Sequence, residues 1–519
     1  MSSRTRIESP SSLFPHHYSA LELEVVDIGR TSQTTLQYAN KASWTAYVAD
    51  SHWTAEWPQT SLDWNPIKLV SNLSNTPAAT ATSSKEYLKL PLLHKTPFPS
   101  PTQTILFDIH RISYLHRHQH HKNPKGSIKS PVVSGAPSGS SQYFVELRLG
   151  SPPQPLLLVV DTGSDLLWVT CSACRHNCSF FHSPGSTFLA RQSSSFAPHH
   201  CFDPTCRLVP HPDPNPCNRT RLHSPCRYQY LYSDGSTTRG FFSKDTTTLN
   251  ISSGREAKLE KLSFGCGFQI LGPSVSGASF NGAQGVMGLG RGPISFASQL
   301  GRHFGNKFSY CLMDYTLSPP PTSYLIIGEG GDDGDKQNAI SRNPKMSYTP
   351  LLINPLSPTF YYIGIKSVKV NNVKLRIDPS VWSLDELGNG GTIMDSGTTL
   401  TFLPEPAYVK ILTAIKRRVR LPSPAELTPG FDLCFNVTGE SRQKLPRLSF
   451  ELAGGSVLEP PPRNYFIETE EDIKCFAVQP FGNGMGFSVI GNLMQQGFLF
   501  EFDRDKSRLG FSRHGCTSS

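Results

Sequence analysis

A mainly β protein built as two related lobes, with a few short helices, is predicted by a duplicated pattern, by dense turn punctuation and by scarce helical periodicity. The first copy of the pattern is Leu156-Leu157-Leu158-Val159-Val160-Asp161-Thr162-Gly163-Ser164, followed by Asp165-Leu166-Leu167-Trp168-Val169. The second is Gly391-Thr392-Ile393-Met394-Asp395-Ser396-Gly397-Thr398, followed by Thr399-Leu400-Thr401-Phe402-Leu403. Each copy reads as an apolar strand, a carboxylate, a small-residue turn and a second strand, and the copies lie 234 positions apart. Turn formers are abundant, with 41 glycines and 43 prolines. Helical spacing is confined to short stretches such as 294–304 and 405–419.

A carboxylate at the end of a buried strand is costly unless it is nested in hydrogen bonds or needed for chemistry. If the lobes face each other, Asp161 and Asp395 meet at their seam. Two adjacent carboxyls cannot both ionise, so the pair holds one proton, one member serving as base and the other as acid. Such a pair activates water for attack on an amide carbonyl. Gly163 and Gly397 allow the sharp turns, and the hydroxyls of Thr162, Ser164, Ser396 and Thr398 support the carboxylates or the neighbouring backbone. Either tripeptide alone is an ordinary turn. Their duplication in the same strand context is what carries the argument.

These residues, with the apolar-apolar-glycine signatures Val286-Met287-Gly288 and Val489-Ile490-Gly491, resemble the pepsin-like aspartic proteases, and more closely their plant nepenthesin-like branch. The resemblance runs from about Tyr143 to Cys516 and does not cover the first 80 or so residues. It implies an all-β, bilobal pepsin-like fold with the active site between the lobes. It implies a zymogen-derived endopeptidase working at acidic pH on protein or peptide substrates, as a monomer, with no cofactor and no metal. Tyr228 to Ser236 resembles the flap hairpin of that family, with Tyr232 closing over substrate and Trp168 as its partner. Asp165 departs from the archetypal pattern, which has a small hydroxyl residue there, and is expected to face solvent or cap local backbone. The competing reading within the fold is a non-catalytic binding or inhibitor protein of the plant cell wall, against which both intact triads and Tyr232 stand.

An apolar content of 37% and a charged content of 17% are ordinary for a soluble protein. The net charge of +9 is partly concentrated before residue 143, without a basic helix carrying interleaved aromatics, so neither a nucleic-acid nor a membrane partner is expected. Of twelve cysteines, nine fall in the first lobe and three in the second, so complete pairing requires a bridge between lobes. The family resemblance implies Cys171–Cys174, Cys178–Cys266, Cys201–Cys226, Cys206–Cys217, Cys311–Cys516 and Cys434–Cys475; spacing alone leaves the connectivity open. A zinc reading of Cys171, Cys174 and Cys178 with His176 and His182 is the rival. The even total and the sequons at Asn218, Asn250 and Asn436 favour disulfides in an oxidising secretory compartment.

In order, residues 1–82 form an unassigned extension that lacks the continuous apolar core of a secretory signal yet holds four of six tryptophans. It reads as a small extra module or, preferably, as a replaced signal exon. The expected destination is the cell wall or vacuole, with the chloroplast as an alternative. Residues 83–142 resemble a propeptide: Tyr87 to Lys95, then a basic cluster from His110 through Lys129, suited to lie across an anionic cleft, then the flexible joint 134–141. The first lobe is expected over 143–330 and the second over 331–519. Asp234-Gly235 is the expected flap turn, and a Gly- and Asp-rich surface loop spans 328–336 near the boundary.

Overall fold

In the computed structural model, the strands between Leu23 and Ala55 and at Leu69–Val70 are described by backbone alone. Also described are residues 87–93, parts of 101–109, and 142–172, 187–212, 223–232, 235–251, 254–272, 282–314, 321–328, 345–438, 445–481 and 487–513, with Cys217, Val275, Phe280 and Cys516. The basic cluster 110–129, the joint 134–141, most of the loop 328–336, the sequon at Asn218, and Cys174, His176, Cys178 and His182 lie outside the described residues.

The chain divides into two compact units, Met1–Asn65 and Pro66–Ser519. The first contains an antiparallel meander of Leu23–Ile28, Thr31–Gln37, Ser43–Ala49 and His52–Ala55, each strand pairing with the next.

The second unit holds both copies of the duplicated pattern. Strand Phe144–Leu149 pairs antiparallel with Gln154–Asp161, and inward residues such as Leu147, Leu156 and Leu158 are buried. Strand Gly285–Gly288 then threads between the first lobe's two halves. It runs parallel to Gln154–Asp161, with Val286 beside Val159, and antiparallel to Trp168–Ser172, with Gly285 beside Val169. A side chain at Gly285 would sit 2.0 Å from the Trp168 carbonyl oxygen, so only glycine fits. The second lobe repeats the device: Ser488–Ile490 runs parallel to Thr392–Met394 and antiparallel to Thr401–Pro404, with Phe402 beside Val489. Here a side chain at Gly491 would meet the Leu400 carbonyl oxygen at 2.0 Å. The apolar-apolar-glycine signatures are thus the strands that thread each lobe.

A single antiparallel sheet joins the lobes, in the order Leu88–Leu93, Ser323–Ile327, Lys307–Cys311, Leu499–Asp503, Arg508–Ser512, Ser347–Leu352. Beneath it Phe308 and Phe502 stack with centroids 4.6 Å apart, and Tyr361 meets Phe502 edge-on. Aromatic side chains buried this way stabilise by about 1.5–3 kcal/mol each, which anchors the seam. The strand Leu88–Leu93, from the propeptide-like stretch, is an integral member of this sheet and also touches the first lobe, with Leu92 beside Val145.

The short helices form where helical spacing predicts. Helix Phe296–Phe304 starts two residues after the expected Ile294 because the Ser295 hydroxyl accepts from Ser298 N–H and sets the N-terminus. Helix Glu405–Lys416 turns its apolar side, including Ile411 and Ile415, inward. Lys410, Lys416 and Arg417 are exposed, the solvent face expected of them.

The disulfides need correction. Cys311–Cys516 and Cys434–Cys475 form as expected, the first tying the first lobe to the chain's end. Cys171 pairs with Cys266, which excludes both Cys171–Cys174 and Cys178–Cys266. The cause is strand register: Trp168–Ser172 runs parallel to Glu256–Leu271 with Val169 beside Cys266, bringing Cys171 to 5.3 Å, Cα to Cα. Likewise the bridges are Cys201–Cys217 and Cys206–Cys226, in place of Cys201–Cys226 and Cys206–Cys217. The 3-10 turn Pro204–Leu208 directs Cys206 into an apolar cluster with Val209, Cys226 and Tyr228. Of the sequons described, Asn250 is exposed and accepts from Arg148, while Asn436 is half-buried and accepts from Thr438 N–H.

Candidate active site

The two aspartates end their strands in matching nests. Asp161 Oδ1 accepts the Gly163 N–H at 2.9 Å and Oδ2 the Ser164 hydroxyl at 2.6 Å. Asp395 Oδ1 accepts the Gly397 N–H at 3.0 Å and Oδ2 the Thr398 hydroxyl at 2.5 Å. Both carboxylates are buried. In each nest these partners are donors, and together they lock the side chain's direction. The neighbouring backbone repeats the symmetry, since Gly290 N–H donates to Ser164 C=O and Asn492 N–H to Thr398 C=O.

The two loops clasp each other directly. Thr162 N–H donates to Ser396 Oγ at 3.1 Å, and Ser396 N–H donates to Thr162 Oγ1 at 2.9 Å. Each hydroxyl then passes its own proton across the seam: Thr162 Oγ1 to Met394 C=O at 3.3 Å, and Ser396 Oγ to Val160 C=O at 3.0 Å. Four bonds therefore cross between the lobes at residues adjacent to the carboxylates. All eight predicted loop residues, Asp161 to Ser164 and Asp395 to Thr398, come together here.

Tyr232 and Trp168 also meet. The indole Nε1–H donates to the Tyr232 hydroxyl, the rings lie 6.5 Å apart, and Phe280 stacks on the indole at 5.9 Å. Tyr232 N–H closes the hairpin on Ser236 C=O at 2.8 Å, with Gly235 left-handed at φ +83°, so the loop is wider than the two-residue Asp234-Gly235 turn expected. Burial raises the Tyr232 phenol pKa well above its usual range, so it remains a neutral hydroxyl.

Sequence reasoning missed three participants. Tyr230 accepts the Asp165 N–H at 3.0 Å, tying the hairpin to the first Asp loop. Thr359 donates its hydroxyl to Asp165 Oδ2 at 2.6 Å, while Gly292 N–H donates to Oδ1 at 2.7 Å. Asp165 is thus neither in open solvent nor a cap of its own turn. It retains some exposed surface but is densely surrounded, and loss of solvent raises its pKa against the lowering by Thr359, Gly292 and Arg504. Asp108, the third, accepts the N–H groups of Thr399 and Leu400. None has a sequence signal, because each acts at a distance of 65 to 292 residues along the chain.

Cys206, His211 and Cys226 approach within metal-ligand distance of one another. The two sulfurs are bonded to each other, which removes the thiolates that zinc requires.

Residues 143–329 match the family model described as xylanase inhibitor N-terminal, and 360–513 the one described as xylanase inhibitor C-terminal. The chain is 37% identical over 398 residues to Aspartyl protease family protein 2 of Arabidopsis thaliana, covering 76% of this chain and 75% of that one. It is 33% identical to aspartic proteinase nepenthesin-1 of Nepenthes gracilis, covering 75% and 82%. The chain belongs to the plant pepsin-like aspartic proteases. Among solved structures, that of edgp shares the fold with a TM-score of 0.60 at 21% identity, covering 83% of this chain and 98% of that one.

Proposed function

We propose that this chain is an aspartic endopeptidase that hydrolyses peptide bonds at acidic pH with Asp161 and Asp395 as its catalytic residues. The observation that carries the reading is the clasp: two carboxylates in matching donor nests belong to loops stitched to each other by four hydrogen bonds. With one proton shared, the ionised carboxylate takes a proton from water as the water oxygen attacks the amide carbon. The protonated carboxyl gives its proton to the carbonyl oxygen, and a neutral tetrahedral diol results. In the second step the proton gained from water goes to the amide nitrogen as the C–N bond breaks. A diol hydroxyl returns its proton to the other carboxylate, and the products are a carboxylic acid and an amine. No covalent intermediate forms. Tyr232, held by Trp168, would close over the bound peptide.

The residues before 143 would keep the enzyme latent until removed, since Leu88–Leu93 and Asp108 hold that stretch to both lobes. The disulfides suit an oxidising compartment, so cell wall or vacuole is the proposed destination. The deciding experiment digests a peptide library across pH, with and without a statine-type inhibitor, using the wild type and Asp161→Asn and Asp395→Asn. Acid-dependent, statine-sensitive cleavage lost in both variants supports the reading. A folded wild type that cleaves nothing at any pH would favour the second reading, a binding or inhibitor protein, which the description of the matching family models favours.

A further inference from the structure

The offset of 234 that equates Asp161 with Asp395 also equates Asp165 with Thr399 and Leu166 with Leu400. In the first lobe the N–H donors at these positions face the Tyr230 hydroxyl, which accepts from Asp165 at 3.0 Å and interacts with the Leu166 N–H. In the second lobe the acceptor comes from elsewhere. Asp108 takes the Thr399 N–H at 3.2 and 3.0 Å through its two oxygens, and the Leu400 N–H at 2.5 Å through Oδ2. Its side chain is 0% exposed. Three residues earlier, Ile105 is buried among Tyr362, Leu400, Phe431 and Val489. Asp108 therefore precedes the first lobe in sequence and docks on the second in space, four and five residues past Asp395.

We propose that the paired N–H groups of Thr399 and Leu400 form a carboxylate-binding subsite of the peptide cleft, and that Asp108 is its internal occupant. Once the stretch before residue 143 is removed, the subsite takes an Asp or Glu side chain of a peptide substrate. Two convergent buried donors left empty are costly, so vacating the site creates a demand for an acceptor. The Thr399 hydroxyl is buried without a hydrogen-bond partner among the described residues, leaving a further donor at the same residue. A carboxylate offers two charged oxygens to this fork, whereas Asn or Gln offers one neutral oxygen. The substrate part of the proposal rests on the peptidase reading; the carboxylate site does not.

The test uses the full chain carrying Asp108→Ala and two acetylated peptides, one copying residues 101–112 and one with Asn in place of Asp108. Calorimetry is expected to find the acidic peptide bound about tenfold more tightly by the variant, with no such preference in the wild-type chain. Equal affinities, or no binding by a variant that keeps its unfolding temperature, would overturn the subsite. If Asp108→Ala does not fold, hydrogen exchange of Asp108→Asn decides: faster exchange localised to 396–402 supports the contact's role, and unchanged exchange refutes it. In the library digestion, products enriched in Asp or Glu at one position are expected, and cleavage without that enrichment counts against the proposal. Absence of all cleavage bears on the peptidase reading, and the binding measurement still decides this one.

Discussion

Thr359, from the second lobe's side of the seam, donates its hydroxyl to Asp165 Oδ2 at 2.6 Å, four residues past Asp161. The carboxylate also takes the Gly292 N–H, so one side chain joins the first Asp loop, the turn that follows the first lobe's threading strand and the second lobe. Burial raises its pKa above 3.8, the ordinary value. A raised acid contributes stability that is fully present below the unfolded value and is lost as pH rises through the folded one. Asp165→Asn is therefore expected to flatten the loss of stability as pH rises above about 4. Guanidinium midpoints for both proteins across that range check this, and parallel curves would remove Asp165 as a contributor.

His199 acts in the opposite direction. It is buried against Phe242, with Nε2 3.0 Å from Ser263 Oγ, and burial lowers its pKa from 6.5 to about 4. A depressed histidine contributes stability present above 6.5 and lost as pH falls through about 4. His199→Gln is expected to spare up to about 3 kcal/mol of acid-side loss, while costing some packing at neutral pH. The readout is the difference between the two unfolding free energies at either end of the window.

The clasp should be cooperative. Thr162→Val and Ser396→Ala each remove a hydroxyl that accepts one buried N–H and donates to one carbonyl across the seam. Each is expected to cost about 1–3 kcal/mol, and the double variant less than the sum. Denaturant unfolding of the four proteins measures the coupling. Strict additivity would mean that the two hydroxyls act independently.

Tyr232→Phe leaves the ring in place and removes the acceptor of the Trp168 indole N–H. Stability is expected to fall by only about 1–2 kcal/mol, whereas kcat/KM for a peptide falls about tenfold or more. A variant as active as the wild type would place Tyr232 outside the site.

The duplicated strands were legible because their signal is local: an apolar run, an aspartate and a small-residue turn occupy adjacent positions, and the threading glycines sit in equally short motifs. That the two Asp loops face each other followed once both copies were recognised; that Thr162 and Ser396 bond across the seam, rather than to the carboxylates or their own neighbouring backbone, did not. Cysteine pairing was only partly legible, since Cys171–Cys266 depends on a parallel register between strands 95 residues apart. Tyr230, Thr359 and Asp108 were invisible for the same reason. A hydroxyl or carboxylate that completes a site from a distant element looks, in sequence, like any other polar residue in a turn.

The Cys311–Cys516 bridge makes the chain from 311 to 516 a closed covalent ring. A single nick at any peptide bond inside that ring would leave two polypeptides still fastened together. Internal cutting during maturation would then yield a heavy and a light chain visible only after a reducing agent is added, and the nicked molecule would keep its mass on a non-reducing gel.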